Sequence, residues 1–155
     1  MKKWLFFLAC FAAVALLGGE GLAGRDVAKL EPVQTVCLSS EGGKIVLQTD
    51  TGAKGQGESL EAALHHLQET TAGFAFLDTA DYLLVTESQR QLLPQLEELL
   101  RPSCRICRVS ELPDLELVGA FLQIHQPEVT LKDYLAGQQT LQTLLVGEGE
   151  MRLVS

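Results

Sequence analysis

Apolar residues recur along this chain in short blocks separated by glycine, proline and small polar residues, and most blocks have a readable period. "EPVQTVCLSS" (31–40) carries β-branched residues and predicts a strand. "EGG" (41–43) supplies a turn, because glycine takes positive φ without strain. "KIVLQTD" (44–50) predicts the returning strand of a hairpin. The glycine-rich "TGAKGQGE" (51–58) is expected as loop. Ser59 then caps a helix whose Leu60, Ala63, Leu64 and Leu67 fall on one face at i, i+3, i+4 and i+7.

The second half reads similarly. "GFAFLDTADYLLVTE" (73–87) predicts a short strand over Tyr82–Thr86, apolar enough to be buried on both faces. Ser88 with Gln91 spells an S-x-x-Q capping box, and Leu92, Leu93, Leu96, Leu99 and Leu100 form a second apolar stripe. Pro94 removes a backbone bond to Arg90, so this helix is expected to kink, or to begin, near Pro94. Arg101-Pro102 ends it. "CRICRV" (104–109) alternates and predicts a strand, and "ELPDLELVGAFLQ" (111–123) predicts a helix. Thr130 with Asp133 makes another capping box, with Gly137 as C-cap. "TLQTLLVGEGEMRLVS" (140–155) predicts a last hairpin or strand pair about Gly147–Gly149. The expected order β-β-α-β-α-β-α is that of an α/β or α+β domain, helices packed on a small mixed β-sheet. No internal repeat or low-complexity tract interrupts it.

The first residues follow a different pattern. Lys2 and Lys3 precede an uncharged apolar run, Trp4 to Leu17, and Gly21-Leu22-Ala23 fits a small-residue cleavage site. The run is shorter than the roughly 20 residues of a bilayer span. Residues 1–23 are therefore expected to be a signal peptide or an N-terminal membrane anchor, and residues 24–155 a single extracytoplasmic domain, exported or secreted. Leu22-Ala23-Gly24 is the L-A-G of bacterial lipoprotein signals, but Arg25 follows where the lipidated cysteine would stand. Arginine has no thiol to form the thioether, and Cys10 lies inside the apolar run.

Charge narrows the partners. The chain has 12 Lys and Arg against 20 Asp and Glu. Lys2, Lys3 and Glu20 fall in residues 1–23, so the rest carries 10 against 19, a net −9. This argues against nucleic acid, whose binding needs clustered cations. It also argues against adhesion to anionic lipid by surface charge alone.

Export gives cysteine its interest. Cys104 and Cys107 form a C-x-x-C between two arginines. On a strand, residues i and i+3 point to opposite faces, so the two sulfurs are expected to diverge. A redox C-x-x-C instead occupies a helix N-terminus, and a structural zinc site needs four paired ligands. Cys37 leaves two alternatives: a Cys37–Cys104 or Cys37–Cys107 bridge, or three reduced, buried cysteines. His65 and His66, about 100° apart on one helix, are expected to be solvated, and Glu97 and Glu98 to lie on a solvated helix face. No G-x-S-x-G, H-E-x-x-H or phosphate-cradling loop is present, and "GAKGQGE" does not match the dinucleotide fingerprint. No catalytic, cofactor or metal residue is assigned, and the protein is not expected to be an enzyme.

These stretches together resemble the N-terminal domain of the Ger(x)C family, the C subunits of spore germination receptors. The resemblance lies in the exported N-terminus ending "LAG" then "RD", a strand hairpin, "GESLEAALHHLQETT", "DYLLVTES", the helix-Arg-Pro-strand unit "LLPQLEELLRPSCRICRV", and "PEVTLKDYLAG" with Thr130, Leu131, Asp133, Tyr134 and Leu135 in the family's pattern. It covers nearly all of residues 24–155. The departures are Arg25 and the family's further domains, which would follow Ser155, so the resemblance implies a shortened paralogue or a fragment. It implies a non-catalytic accessory or interaction domain on the outer face of the bacterial cytoplasmic or inner spore membrane. The implied partners are membrane-embedded receptor subunits, and no active-site residue is carried over. The alternative, from the residues alone, is an exported thiol-disulfide or metal-handling domain using Cys104 and Cys107.

Overall fold

The computed structural model describes residues 30–72, 74–137, 140–147 and 149–155. The predicted signal or anchor segment 1–23, with Cys10 and Leu22-Ala23-Gly24, lies outside the described residues. Within them, no helix is long and apolar enough to cross a membrane.

The apolar blocks assemble into an α/β fold around a mixed seven-stranded sheet. The strands are β2 (Thr35–Glu41), β3 (Lys44–Thr49), β4 (Lys54–Gly57), β6 (Tyr82–Thr86), β7 (Arg105–Val109), β8 (Thr143–Val146) and β9 (Met151–Val154), in spatial order β4-β3-β2-β6-β7-β8-β9. The four inner strands β2, β6, β7 and β8 run parallel. β3 and β4 extend one side antiparallel, and β9 ends the other. A separate parallel pair, β1 (Leu30–Pro32) and β5 (Phe74–Phe76), lies apart from this sheet.

Parallel inner strands need cover on both faces, and accordingly β2 is buried without a break over its first five residues and β6 over its first four, Tyr82 to Val85. On one face Val36, Leu38, Leu83, Val85 and Ile106 meet three elements: α1 (Leu60–Thr70), a 3-10 helix over Glu87–Leu96, and the short α3 (Leu131–Leu135). On the other, Cys37, Tyr82, Leu84, Cys107 and Val109 meet α2 (Leu115–Ile124). Each fully buried leucine, such as Leu38 or Leu83, contributes roughly 1.5–3 kcal/mol of transfer free energy.

Local signals act as expected at several points. Gly42 and Gly43, at φ of 58° and 80°, close the β2–β3 hairpin, with Glu41 opposite Lys44. Ser59 Oγ accepts from the Ala62 N–H at 3.1 Å to start α1. Thr130 Oγ1 accepts from the Asp133 N–H at 3.2 Å to start α3, and Gly137 follows its end at φ 73°. The β8–β9 hairpin turns about Gly149 at φ 84°.

The structure corrects the expectations at three places. Residues 54–57, expected as loop, form β4, paired with β3. Its glycines let the strand lie directly against α1: a Cβ on Gly55 would stand 2.7 Å from Leu67 Cβ, and one on Gly57 2.6 Å from Ala62 Cβ. The Ser88/Gln91 capping box does not form, because the segment is a 3-10 helix preceded by Thr86, which makes no side-chain cap. Pro94 sits inside it, lacking the N–H that an α-helix would direct to residue 90. The helix expected over 111–123 begins only at Leu115, where Asp114 accepts from the N–H groups of Glu116 and Leu117 at 3.0 and 3.2 Å.

Candidate functional site

The C-x-x-C pair divides across β7. Cys104, just before the strand, packs in the layer of α1 and the 3-10 helix, and Cys107 in the layer of α2. This is the divergence that period-2 alternation predicts. Cys37 shares the layer of Cys107, but Leu84 of β6 stands opposite both, so two strand spacings, roughly 10 Å, separate them. A disulfide needs Cα atoms within about 7 Å. Of the two alternatives left by the sequence, the structure has the second: all three cysteines are free and buried.

Burial pushes each of these thiols up to about 12, the neutral form being favoured where water is excluded. None is a thiolate at neutral pH, and thiolate is the nucleophile and the metal ligand. Among the described residues no three His, Cys, Asp or Glu side chains converge on a point that could hold a metal ion. A thiol-disulfide or metal role for Cys104 and Cys107 therefore requires β7 to come apart.

The flanking arginines serve the fold. Arg108 donates to Thr143 Oγ1 through Nε and Nη2, at 3.0 and 2.6 Å, and through Nη1 to Glu87 at 3.2 Å, tying β7 to β8 and to the 3-10 helix. Arg105 donates to the Pro127 carbonyl. Arg90 bridges Glu87 and the Tyr134 hydroxyl. The two arginines beside it hold the Glu87 carboxyl below its usual range.

The histidines separate in role. His65 is exposed beside Glu69, as expected. His66 is only half-exposed, and its Nδ1 accepts the Gln56 N–H of β4 at 3.1 Å. That corrects the expectation of two solvated rings. The signal was hidden, since nothing marked 54–57 as a strand with donors to satisfy. Glu97 and Glu98 are exposed.

A cleft of about 370 Å³ opens at the carboxyl ends of β2, β6 and β7, the place where open parallel sheets hold ligands. Ser39, Ser40, Thr86 and Ser110 line it, with the ion pair of Lys54 and Glu41 at 2.7 Å. The lining has no histidine or cysteine; its lysine is paired with Glu41, and Glu111 is its second carboxylate.

The strongest surface feature belongs to α2. Its inner face, Leu115, Val118 and Leu122, is buried on the sheet. Its outer face carries a second apolar stripe, Leu117, Phe121 and Ile124, at i, i+4 and i+7, with Leu117 60% and Ile124 78% exposed. Leu112 and Val146, at 40% and 51%, extend the apolar surface towards the β8–β9 turn. A helix apolar on both sides but covered on one exposes a face suited to another protein.

Comparison with protein-family models, with curated proteins and with solved structures finds no match to this chain.

Proposed function

We propose that the chain is a non-catalytic, extracytoplasmic accessory domain that docks on membrane-embedded receptor subunits, as its resemblance to the Ger(x)C germination-receptor C subunits implies. One observation carries the reading: the uncovered apolar face of α2, in a chain whose overall charge keeps it soluble and turns it from anionic lipid. The burial of all three thiols speaks against the alternative of an exported thiol-handling domain.

Affinity capture from solubilised membranes of the source cell tests it, with the full chain and a Leu117→Asp/Ile124→Asp variant as baits. The reading expects a polytopic membrane protein held by the first and lost by the second. Capture of none, or equal capture by both, overturns it.

A further inference from the structure

Two hollows lie side by side where the start of α2 meets the β8–β9 turn, and they share Val146. The smaller, about 130 Å³, is walled by Leu112, Pro113 and Leu144. The larger, about 290 Å³, is walled by Leu117, Val118 and Met151. Three carboxylates border them: Glu111 beside the first, Asp114 and Glu150 beside the second. Neither lining includes a lysine, arginine or histidine. Among the described residues, none of the three carboxylates has an ion-pair partner, whereas Glu41, Asp81 and Glu87 elsewhere each have one.

We infer that this double hollow receives an apolar segment flanked by lysine or arginine on a partner protein. The inference rests on the docking reading above and gives the partner its chemistry. The larger hollow, mostly apolar, accepts an apolar side chain; the smaller, more polar one with Ser110 takes the residue beside it, and the three carboxylates select the charge. Opposite charge across an interface speeds encounter and fixes register, and like charge rejects the wrong partner. The same rim argues against the other occupants. A second copy on a twofold axis sets these carboxylates against themselves. An anionic bilayer meets the same repulsion.

Two synthetic peptides test this on the full chain. They share one apolar stripe and differ only in flanking residues, lysine in one and glutamate in the other. Anisotropy titrations are expected to show the lysine peptide binding at least about tenfold more tightly, as like-charge juxtaposition is strongly unfavourable. Amide shifts are expected to concentrate in residues 109–118 and 144–151. Glu111→Lys/Glu150→Lys inverts the preference. Glu97→Lys/Glu98→Lys makes the same change of net charge at the far end of the 3-10 segment and does not invert it. Leu117→Ser weakens both peptides.

Equal effects of the two charge-reversed variants would reduce the preference to bulk charge and overturn the inference. So would shifts centred elsewhere, or the same amides responding to self-association or to phosphatidylglycerol vesicles. If the inversion and the shift map are obtained while membranes yield no polytopic protein, the membrane-subunit reading alone fails. If membrane capture succeeds and the peptides show no local preference, this inference alone fails.

Discussion

Cys37 and Cys107 face the same layer of the core from β2 and β7, with Leu84 of β6 standing opposite both. The row is a packing unit: two thiols and a leucine filling the space under α2. Cys107 is pushed up chiefly by burial, then by the neighbouring Cys37 and Cys104. Its value is therefore a property of the closed core.

This makes stability depend on alkaline pH. The three thiols ordinarily titrate near 9 and are held near 12 in the fold. Their contribution is complete below pH 9, where folded and unfolded chains both keep the protons. As pH rises from 9 towards 12 the unfolded chain ionises first, so stability falls. The limiting slope is about 1.4 kcal/mol per pH unit for each thiol. Urea denaturation at stepped pH is expected to show this fall, weakened by one thiol's share in Cys107→Ala. In native protein at pH 8, Cys37, Cys104 and Cys107 are expected to resist a disulfide reagent until denaturant is added.

The contact between β4 and α1 has a sharp steric signature. Gly55→Ala drives a methyl group into Leu67 Cβ at 2.7 Å and against the backbone of α1. We expect a loss of about 1–3 kcal/mol, typical of overpacking. By contrast Gly147→Ala meets nothing closer than the Glu150 carbonyl at 3.8 Å and is expected to lose much less. Paired chemical denaturation curves measure the difference.

Thr35 Oγ1 is buried with no hydrogen-bond partner among the described residues, and a Cβ on Gly119 would stand only 2.9 Å from it. Thr35→Val keeps the shape and removes an unsatisfied hydroxyl. A gain of about 1 kcal/mol is expected, since a buried polar group without a partner carries its full desolvation cost. A thermal melt below that of the wild type would contradict the assignment. Gly119→Ala, which crowds the same atom, is expected to lose stability.

The outer stripe of α2 should be thermodynamically silent in the isolated chain. Leu117→Gln and Ile124→Gln touch exposed side chains and are expected to change unfolding free energy by less than about 0.5 kcal/mol. They are expected to raise solubility, measured as the concentration at which ammonium sulfate precipitates the protein. A large loss of stability would mean that the stripe is covered within the chain.

What the sequence disclosed, and what it concealed, follows from the range of each signal. Tyr82–Thr86 and the Gly42-Gly43 hairpin were legible because their causes lie within a few residues. Cys104 and Cys107 diverge because period-2 alternation needs no distant partner. β4 was hidden, since Gly55 and Gly57 look like loop until Ala62 and Leu67 of α1 come to lie on them. The Ser88/Gln91 box failed because Pro94, six residues beyond Ser88, helps turn the whole segment to 3-10 geometry. The docking surface was half visible. "LELVGAFLQI" has apolar residues all round, but which side the sheet would cover depends on long-range packing.

The placement of β9 at the end of the sheet has a consequence of its own. Its outer row of amides and carbonyls is a template on which foreign strands can accrete, and Arg152 is its single charged gatekeeper. Arg152→Val would leave a four-residue apolar rim, and concentrated samples of that variant should nucleate thioflavin-positive fibrils sooner than the parent.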